Sequence, residues 1–310
     1  MDFRIFTEPQ QGASYEQLLA VARTAELAGF NGFFRSDHFL KMGSVDGLPG
    51  STHAWLTLAA LGRETSTIRL GTLVSPATFY RPGPLAIMVA QADEMSGGRI
   101  EFGFGTGWYE AEHSAYGLPF PPLGERFDVM EEYLAQVTGL WATPEGELFQ
   151  HDGQFHQFAD SPALPKPSQK PGPPIIIGGR GPKRTPALVA QYASEFNLPF
   201  VGLEDIRPAL QRVDAACEAR GRDPQEVVKS AALVLALGAT EADVARRAAA
   251  IGREPEELRQ NGLAGSPQEV IDKIRTYEEA GISRLYLQIL DLDDLDHVLE
   301  AASSVTVAWN

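Results

Sequence analysis

Phe3-Arg4-Ile5-Phe6-Thr7-Glu8-Pro9-Gln10 is the stretch that separates the two α/β architectures open to this chain. Phe3, Ile5 and Phe6 read as a short buried strand. The turn after it carries a carboxylate and a proline. A doubly wound nucleotide-binding sheet would place a glycine fingerprint there instead. Outward from this strand, Ser14 and Gln17 form a capping-box pattern for a helix carrying Leu18, Leu19, Val21, Ala22, Ala25 and Leu27, which stops at Gly29. Further strands are read at 30–34, 68–74, 100–104, 175–177, 195–198, 231–237 and 284–289. Helices are read at 53–63, 84–95, 126–140, 186–193, 205–220, 267–280 and 292–303, with two helical pieces within 240–260. Eight strands joined by helical crossovers predict parallel pairing and a (β/α)8 TIM barrel. Two long gaps predict insertions after strands 4 and 7. The first of these holds a proline-rich excursion, 141–174. No internal repeat is found, and residues 1–310 read as one domain.

The chain has 310 residues, 44% hydrophobic and 22% charged, with a formal net charge of −15. This is an ordinary globular composition, and so strong a negative charge speaks against nucleic acid as a general partner. No apolar run reaches the length of a membrane span, and Met1-Asp2-Phe3-Arg4 lacks the regions of a signal peptide. Cys217 is the single cysteine, which rules out an intramolecular disulfide and a cysteine metal cluster. The expected location is the cytoplasm.

In a barrel the chemistry sits at the C-terminal ends of the strands. Glu8 follows the first, Asp37 and His38 the second, and Asn197 ends the sixth; Gln288 and Asp291 lie near the end of the eighth. His38, oriented by its neighbour Asp37, is the leading candidate for proton transfer. Strand 4 runs into Gly105-Thr106-Gly107-Trp108-Tyr109-Glu110, with His113 nearby. Strand 5 runs into Gly178-Gly179-Arg180-Gly181-Pro182-Lys183. Closely approachable backbone amides beside two cations suit the phosphate end of a ligand. His53, His151, His156 and His297 read as structural, and none of the six histidines has zinc-protease spacing. A nucleophile-elbow hydrolase is unsupported, because no G-x-S-x-G occurs. A glycosidase using Glu8 and Glu110 is formally compatible with the fold but favoured by nothing. Asp291-Leu292-Asp293-Asp294-Leu295-Asp296 reads as a solvated helix start.

Several of these segments, taken together, resemble the bacterial luciferase-like flavin and deazaflavin oxidoreductases. They are Arg35-Ser36-Asp37-His38, Leu70-Gly71-Thr72-Leu73-Val74-Ser75-Pro76 with Arg81-Pro82, Asp93-Glu94-Met95-Ser96-Gly97-Gly98-Arg99, the run from Gly103 to His113, Pro121-Pro122-Leu123-Gly124-Glu125-Arg126, and Pro173-Pro174-Ile175-Ile176-Ile177-Gly178-Gly179. The likeness is greatest to the actinobacterial branch that uses coenzyme F420. It implies a tricyclic cofactor across the barrel mouth, backed by Thr72, Leu73 and Val74 with a non-proline cis peptide at Leu73-Val74. It also implies phosphate contacts at Gly105, Thr106 and Gly107 and at Gly179, Arg180 and Gly181, with Gly178 and Asn197 as further cofactor-binding residues. His38 takes the place of the family's histidine after strand 2. In deazaflavin dehydrogenases of sugar phosphates a glutamate stands where Trp108 stands here, which argues against that substrate. Trp55, Trp108 and Tyr109 are candidate apolar walls of the substrate pocket, with Glu8 and His113. The resemblance implies an F420-dependent hydride transfer with a small organic substrate. Its alternatives are an FMNH2-dependent two-component monooxygenase acting on a substrate such as a sulfonate, and a catalytically silent flavin-binding protein. It further implies a homodimer.

Overall fold

The computed structural model describes residues 1–309. Its central strands are β1 Asp2–Thr7, β2 Gly32–Arg35, β3 Arg69–Thr72, β4 Ile100–Gly105, β5 Ile175–Gly178, β6 Glu195–Pro199, β7 Val228–Leu237 and β8 Arg284–Gln288. Each pairs in parallel with the next, and β8 pairs with β1, placing Tyr286 opposite Arg4. The result is a closed (β/α)8 barrel. A short strand, Ser75–Pro76, continues beside β4 after a break in β3 at Leu73-Val74, whose peptide bond is cis. The continuous strand expected over 68–74 is therefore interrupted at the position that the resemblance marked.

The helices are α1 Tyr15–Leu27, α2 Ala54–Glu64, α3 Pro82–Met95, α4 Glu110–Ala115, α5 Leu123–Ala142, α6 Arg184–Tyr192, α7 Leu203–Ala219, α8 Glu241–Ala250, α9 Pro255–Asn261, α10 Pro267–Glu279 and α11 Leu295–Ser304. Local chemistry sets where they begin. Ser14 Oγ accepts the Gln17 amide at 3.2 Å, while Gln17 Oε1 accepts the Ser14 amide at 2.9 Å, satisfying two amides that a helix start leaves unpaired. Ser266 and Glu269 do the same for α10, with Pro267 at its first position.

Because side chains alternate along a strand, the barrel has two apolar faces. Ile5, Phe33, Leu70, Phe102, Leu233 and Leu285 point outward into the main core beneath the helices. Trp55 belongs to this outer core, 2% exposed, with its ring 5.9 Å from that of Phe102. It is a packing residue and not a pocket wall, because α2 turns it onto the outside of the barrel.

Inside the barrel, Phe6, Phe34, Ile176, Ala232 and Tyr286 form an apolar plug. Toward the N-terminal ends of the strands lies a buried ionic layer. Arg4 Nη1 donates to Glu101 Oε2 at 2.5 Å, and Arg284 bridges Asp2, at 2.7 Å, and Glu195. Ser230 Oγ bonds Glu195 at 2.5 Å, and Asn197 Nδ2 bonds Ser230 Oγ at 2.9 Å. Burial opposes ionisation of Glu101, but Arg4, then Arg69 and Arg284, outweigh it and hold the carboxyl below its usual range. Glycines make room for this filling. A Cβ on Gly71 would lie 2.4 Å from the Phe34 ring, and one on Gly103 would lie 2.0 Å from the Thr72 carbonyl oxygen.

Between β4 and β5 the proline-rich stretch contains an antiparallel hairpin, Phe149–Asp152 with Gln157–Ser161, that the sequence reading did not anticipate. Glu132 on α5 anchors it by accepting the amides of Phe155 and His156. Between β7 and β8, α8 and α9 with the short strand Leu263–Gly265 enclose a small core of Val234, Ala236, Val244, Ala248, Leu258 and Ala264.

Candidate active site

The C-terminal strand ends surround a cleft of about 280 Å³. Two more open hollows, of about 440 and 470 Å³, lie at the opposite end of the barrel, beside the starts of β7, β8 and β1. The cleft gathers residues from seven strands that are far apart in sequence, with Ala232 of β7 at its floor. Glu8 enters after β1, Ser36 and His38 after β2, and Leu73, Val74 and Pro76 after β3. Gly105, Thr106, Gly107 and Trp108 enter after β4, Gly178 and Gly179 after β5, and Asn197 and Phe200 from β6 and the loop after it.

His38 is oriented by Glu112, not by Asp37. Its Nδ1 lies 2.9 Å from Glu112 Oε2, and among the described residues its Nε2 has no hydrogen-bond partner. Glu112 is fully buried at the middle of α4 and also accepts the amides of Phe39 and Leu40, the latter at 2.9 Å. Burial works against its charge. The hydrogen bond and charge of His38 and the two amides prevail and hold its carboxyl below the ordinary range. A carboxylate on Nδ1 stabilises the tautomer that keeps the proton there. That leaves Nε2 as the working nitrogen, facing the cleft.

Asp37 has a different task. Its Oδ2 accepts Ser75 Oγ at 2.6 Å and Tyr80 Oη at 2.8 Å, so it ties the loop after β2 to the segment after β3. It is 1% exposed and does not line the cleft. Beside it Arg35, pushed down to about 10 by burial against the opposing pull of Asp37, is spent on Thr52 and Thr57.

His113 reaches the cleft edge, but both its nitrogens are engaged. Nδ1–H donates to the Tyr109 carbonyl at 2.7 Å, and Nε2 is hydrogen-bonded with Thr78 Oγ1 at 2.7 Å. The ring is wedged between Phe79 and Phe120, a structural role. Tyr109 stands behind the cleft surface. Its ring stacks on Trp108 with centroids 5.2 Å apart and its hydroxyl donates to the Lys41 carbonyl at 3.1 Å. Thr72 is buried below the cleft, where Oγ1 donates to the Gly103 carbonyl at 3.0 Å; it ties two strands and does not line the cleft. Glu8 is half-buried in the wall, and burial raises its carboxyl above the usual range despite the opposing effect of His38. Asp291 lies in a neighbouring hollow and not in the cleft, and Glu110 is exposed on the first turn of α4.

The two glycine turns converge on the cleft, but Arg180 and Gly181 do not line it. The Arg180 guanidinium instead donates to the carbonyls of Pro199, at 2.6 Å, and Phe200. Lys183 caps α6. Gly107, at φ 78°, lies where a Cβ would meet Thr78 Oγ1 at 2.7 Å. Gly178 is informative for the opposite reason. A Cβ there would meet Asn197 O and Val74 Cγ1 at 3.8 Å, ordinary contacts, so packing does not demand a glycine. What a side chain at 178 would fill is the cleft. That vacancy, beside the Leu73-Val74 bulge and the amides of 105–107 and 178–179, fits a flat ring with an anionic tail.

Glu112 and Phe200 are site residues that sequence reasoning missed. Glu112 lies 74 positions from His38, and only the run Glu110-Ala111-Glu112-His113 directly after a strand-end glycine loop could have drawn attention to it.

Convergent polar groups at the C-terminal strand ends are the place where barrel enzymes carry their active sites. Residues 1–255 match the luciferase-like monooxygenase family, and the chain belongs to it. It is 25% identical over 314 residues to the oxygenase component of a flavin-dependent trigonelline monooxygenase from Acinetobacter baylyi, covering 90% of this chain and 84% of that one. It is 32% identical over 244 residues to an F420-dependent hydroxymycolic acid dehydrogenase from Mycobacterium tuberculosis, covering 77% of this chain and 63% of that one. Among solved structures, an F420-dependent secondary alcohol dehydrogenase in complex with an F420-acetone adduct superposes with a TM-score of 0.84 at 18% identity, covering 98% of each chain. The monooxygenase RslO1 from Streptomyces bottropensis superposes with a TM-score of 0.82 at 22% identity, covering all of both.

Proposed function

We propose that the protein is a coenzyme F420-dependent oxidoreductase that moves a hydride between the deazaflavin and a small organic substrate. The observation that carries this reading is the His38–Glu112 pair, with Nε2 free at the wall of the cleft. Interconverting an alcohol and a carbonyl moves a proton at oxygen as well as a hydride at carbon, and a histidine of this kind serves the oxygen. The deazaflavin, when bound, supplies or accepts the hydride at its central ring. Leu73 and Val74 would back the ring, and the amides at 105–107 and 178–179 would face its phosphate-bearing tail. Nε2 of His38 takes the proton from an alcohol oxygen or returns it to a carbonyl oxygen. Glu112 compensates the charge that His38 carries meanwhile. The relatives divide between F420 dehydrogenases and flavin monooxygenases, and the relative that spans 90% of the chain is an oxygenase component. An FMNH2-dependent monooxygenase is therefore the second reading. Titration of the purified protein with F420 and with FMN, oxidised and reduced, decides between them. Saturable F420 binding with turnover of a secondary alcohol supports the first. Tight FMN binding without F420 binding, with oxygen uptake dependent on reduced FMN and substrate, overturns it.

A further inference from the structure

The ionisable groups on the cleft surface are Glu8, Glu112 and the two histidines; among the described residues lining it there is no lysine or arginine. Arg180, at the rim, is committed to two backbone carbonyls, and Arg253 is held by Glu257 at 2.6 and 2.8 Å. A carboxylate or phosphate on the substrate would therefore find no lysine or arginine to pair with, and His38, the remaining side chain able to carry positive charge beside it, is already held by Glu112. Desolvating an anion without a partner is strongly unfavourable.

Apolar surface is offered in its place. Trp108 and Phe200 both line the cleft, yet are 64% and 42% exposed. Exposed large rings gathered at the mouth of a cavity mark a binding surface. Both are held in position. Trp108 lies on Tyr109 at 23° between ring planes, and its centroid is 5.7 Å from that of His38. Phe200 has φ 46°, a left-handed conformation that bulky residues rarely adopt. Its amide donates to the Ala232 carbonyl at 3.2 Å, and its own carbonyl accepts from Arg180. A backbone held in so rare a conformation at a ligand cleft points to a use for the ring it presents.

We infer that the substrate is an uncharged alcohol or carbonyl compound with a flat apolar body. Its body is received by Trp108 and Phe200, and its oxygen lies at Nε2 of His38. Arg180 is a positioning residue for Phe200. The inference rests on the oxidoreductase reading for the identity of the reacting group, and on the cleft alone for charge and shape.

Calorimetric binding of acetophenone and of 4-acetylbenzoate, without cofactor and with saturating F420, tests it. The neutral ketone is expected to bind at least tenfold more tightly than its carboxylate. Trp108→Ala and Phe200→Ala should each weaken ketone binding several-fold at unchanged thermal midpoint, and Trp108→Phe should restore most of it. Arg180→Ala should reproduce the Phe200→Ala loss. Carboxylate binding equal to or tighter than ketone binding overturns the inference, as does no binding of either compound. A protein that discriminates the two compounds but does not bind F420 would keep this inference and lose the cofactor reading.

Discussion

At the residue scale, two histidines can be separated by experiment. His38→Ala should lower kcat by about 10²- to 10⁴-fold, the usual contribution of a positioned acid–base group, with little change in denaturation midpoint. A parallel loss of stability would mark His38 as a packing residue instead. His297 makes the opposite prediction. Its buried Nε2 accepts the Leu237 amide at 3.1 Å, and burial, then the nearby Arg247, push the ring down to about 3. The unfolded ring titrates near its ordinary value of about 6.5, so between that pH and about 3 the unfolded state binds the extra proton. Stability from the neutral ring is complete above about 6.5 and declines as pH falls toward 3, by up to about 1.4 kcal/mol per pH unit. His297→Gln should flatten that part of a chemical-denaturation pH series; an unchanged slope would refute the assignment. Neither partner was legible in the sequence. Adjacency suggested Asp37 for His38, but a loop turns consecutive side chains apart, and Asp37 faces Ser75 and Tyr80.

At the element scale, the strands were legible because a barrel strand packed on both faces needs an apolar run with β-branched or aromatic residues. The hairpin in the proline-rich segment was not. Its strands are partly exposed, carry Gln150, His151, Asp152, Gln157, Asp160 and Ser161, and show no two-period apolar signal. Glycines give the sharpest contrast between packing and site. Gly103→Ala drives a methyl into a backbone carbonyl of the neighbouring strand and should destabilise the fold by several kcal/mol in urea unfolding. Gly178→Ala meets only ordinary contacts, so stability should stay within about 1 kcal/mol while cofactor affinity falls about tenfold or more. Unaltered affinity in that variant would show that position 178 does not face the cofactor.

At the scale of the whole molecule, charge and site pull in opposite directions. On the proposed function, a chain of net charge −15 admits an anionic cofactor through backbone amides and the rim near Arg180 and Lys183. Long-range repulsion is screened by salt, whereas close hydrogen bonds are affected much less. Stopped-flow association of F420 should therefore accelerate several-fold between about 10 and 150 mM salt, over which the Debye length falls from about 30 to 8 Å. A rate that falls with salt would show that the rim's local positive field governs approach. The overall barrel was readable because eight strands joined by helical crossovers, and a first turn without a nucleotide glycine fingerprint, leave few other topologies. The cofactor was not, since flavin and deazaflavin present the same flat ring and anionic tail to a glycine cradle.

The ionic layer joins the two extremes of the barrel: Arg284 on the last strand holds Asp2 on the first, and Glu195 and Glu101 are neutralised across the lumen. During synthesis, Asp2, Arg4 and Glu101 leave the ribosome nearly two hundred residues or more ahead of Arg284. Until it arrives the lumen lacks a charge it needs and β1 keeps an unpaired edge. The barrel thus stays incomplete until β8 has been made, and that strand, pairing with β1 on one side and β7 on the other, acts as its clasp.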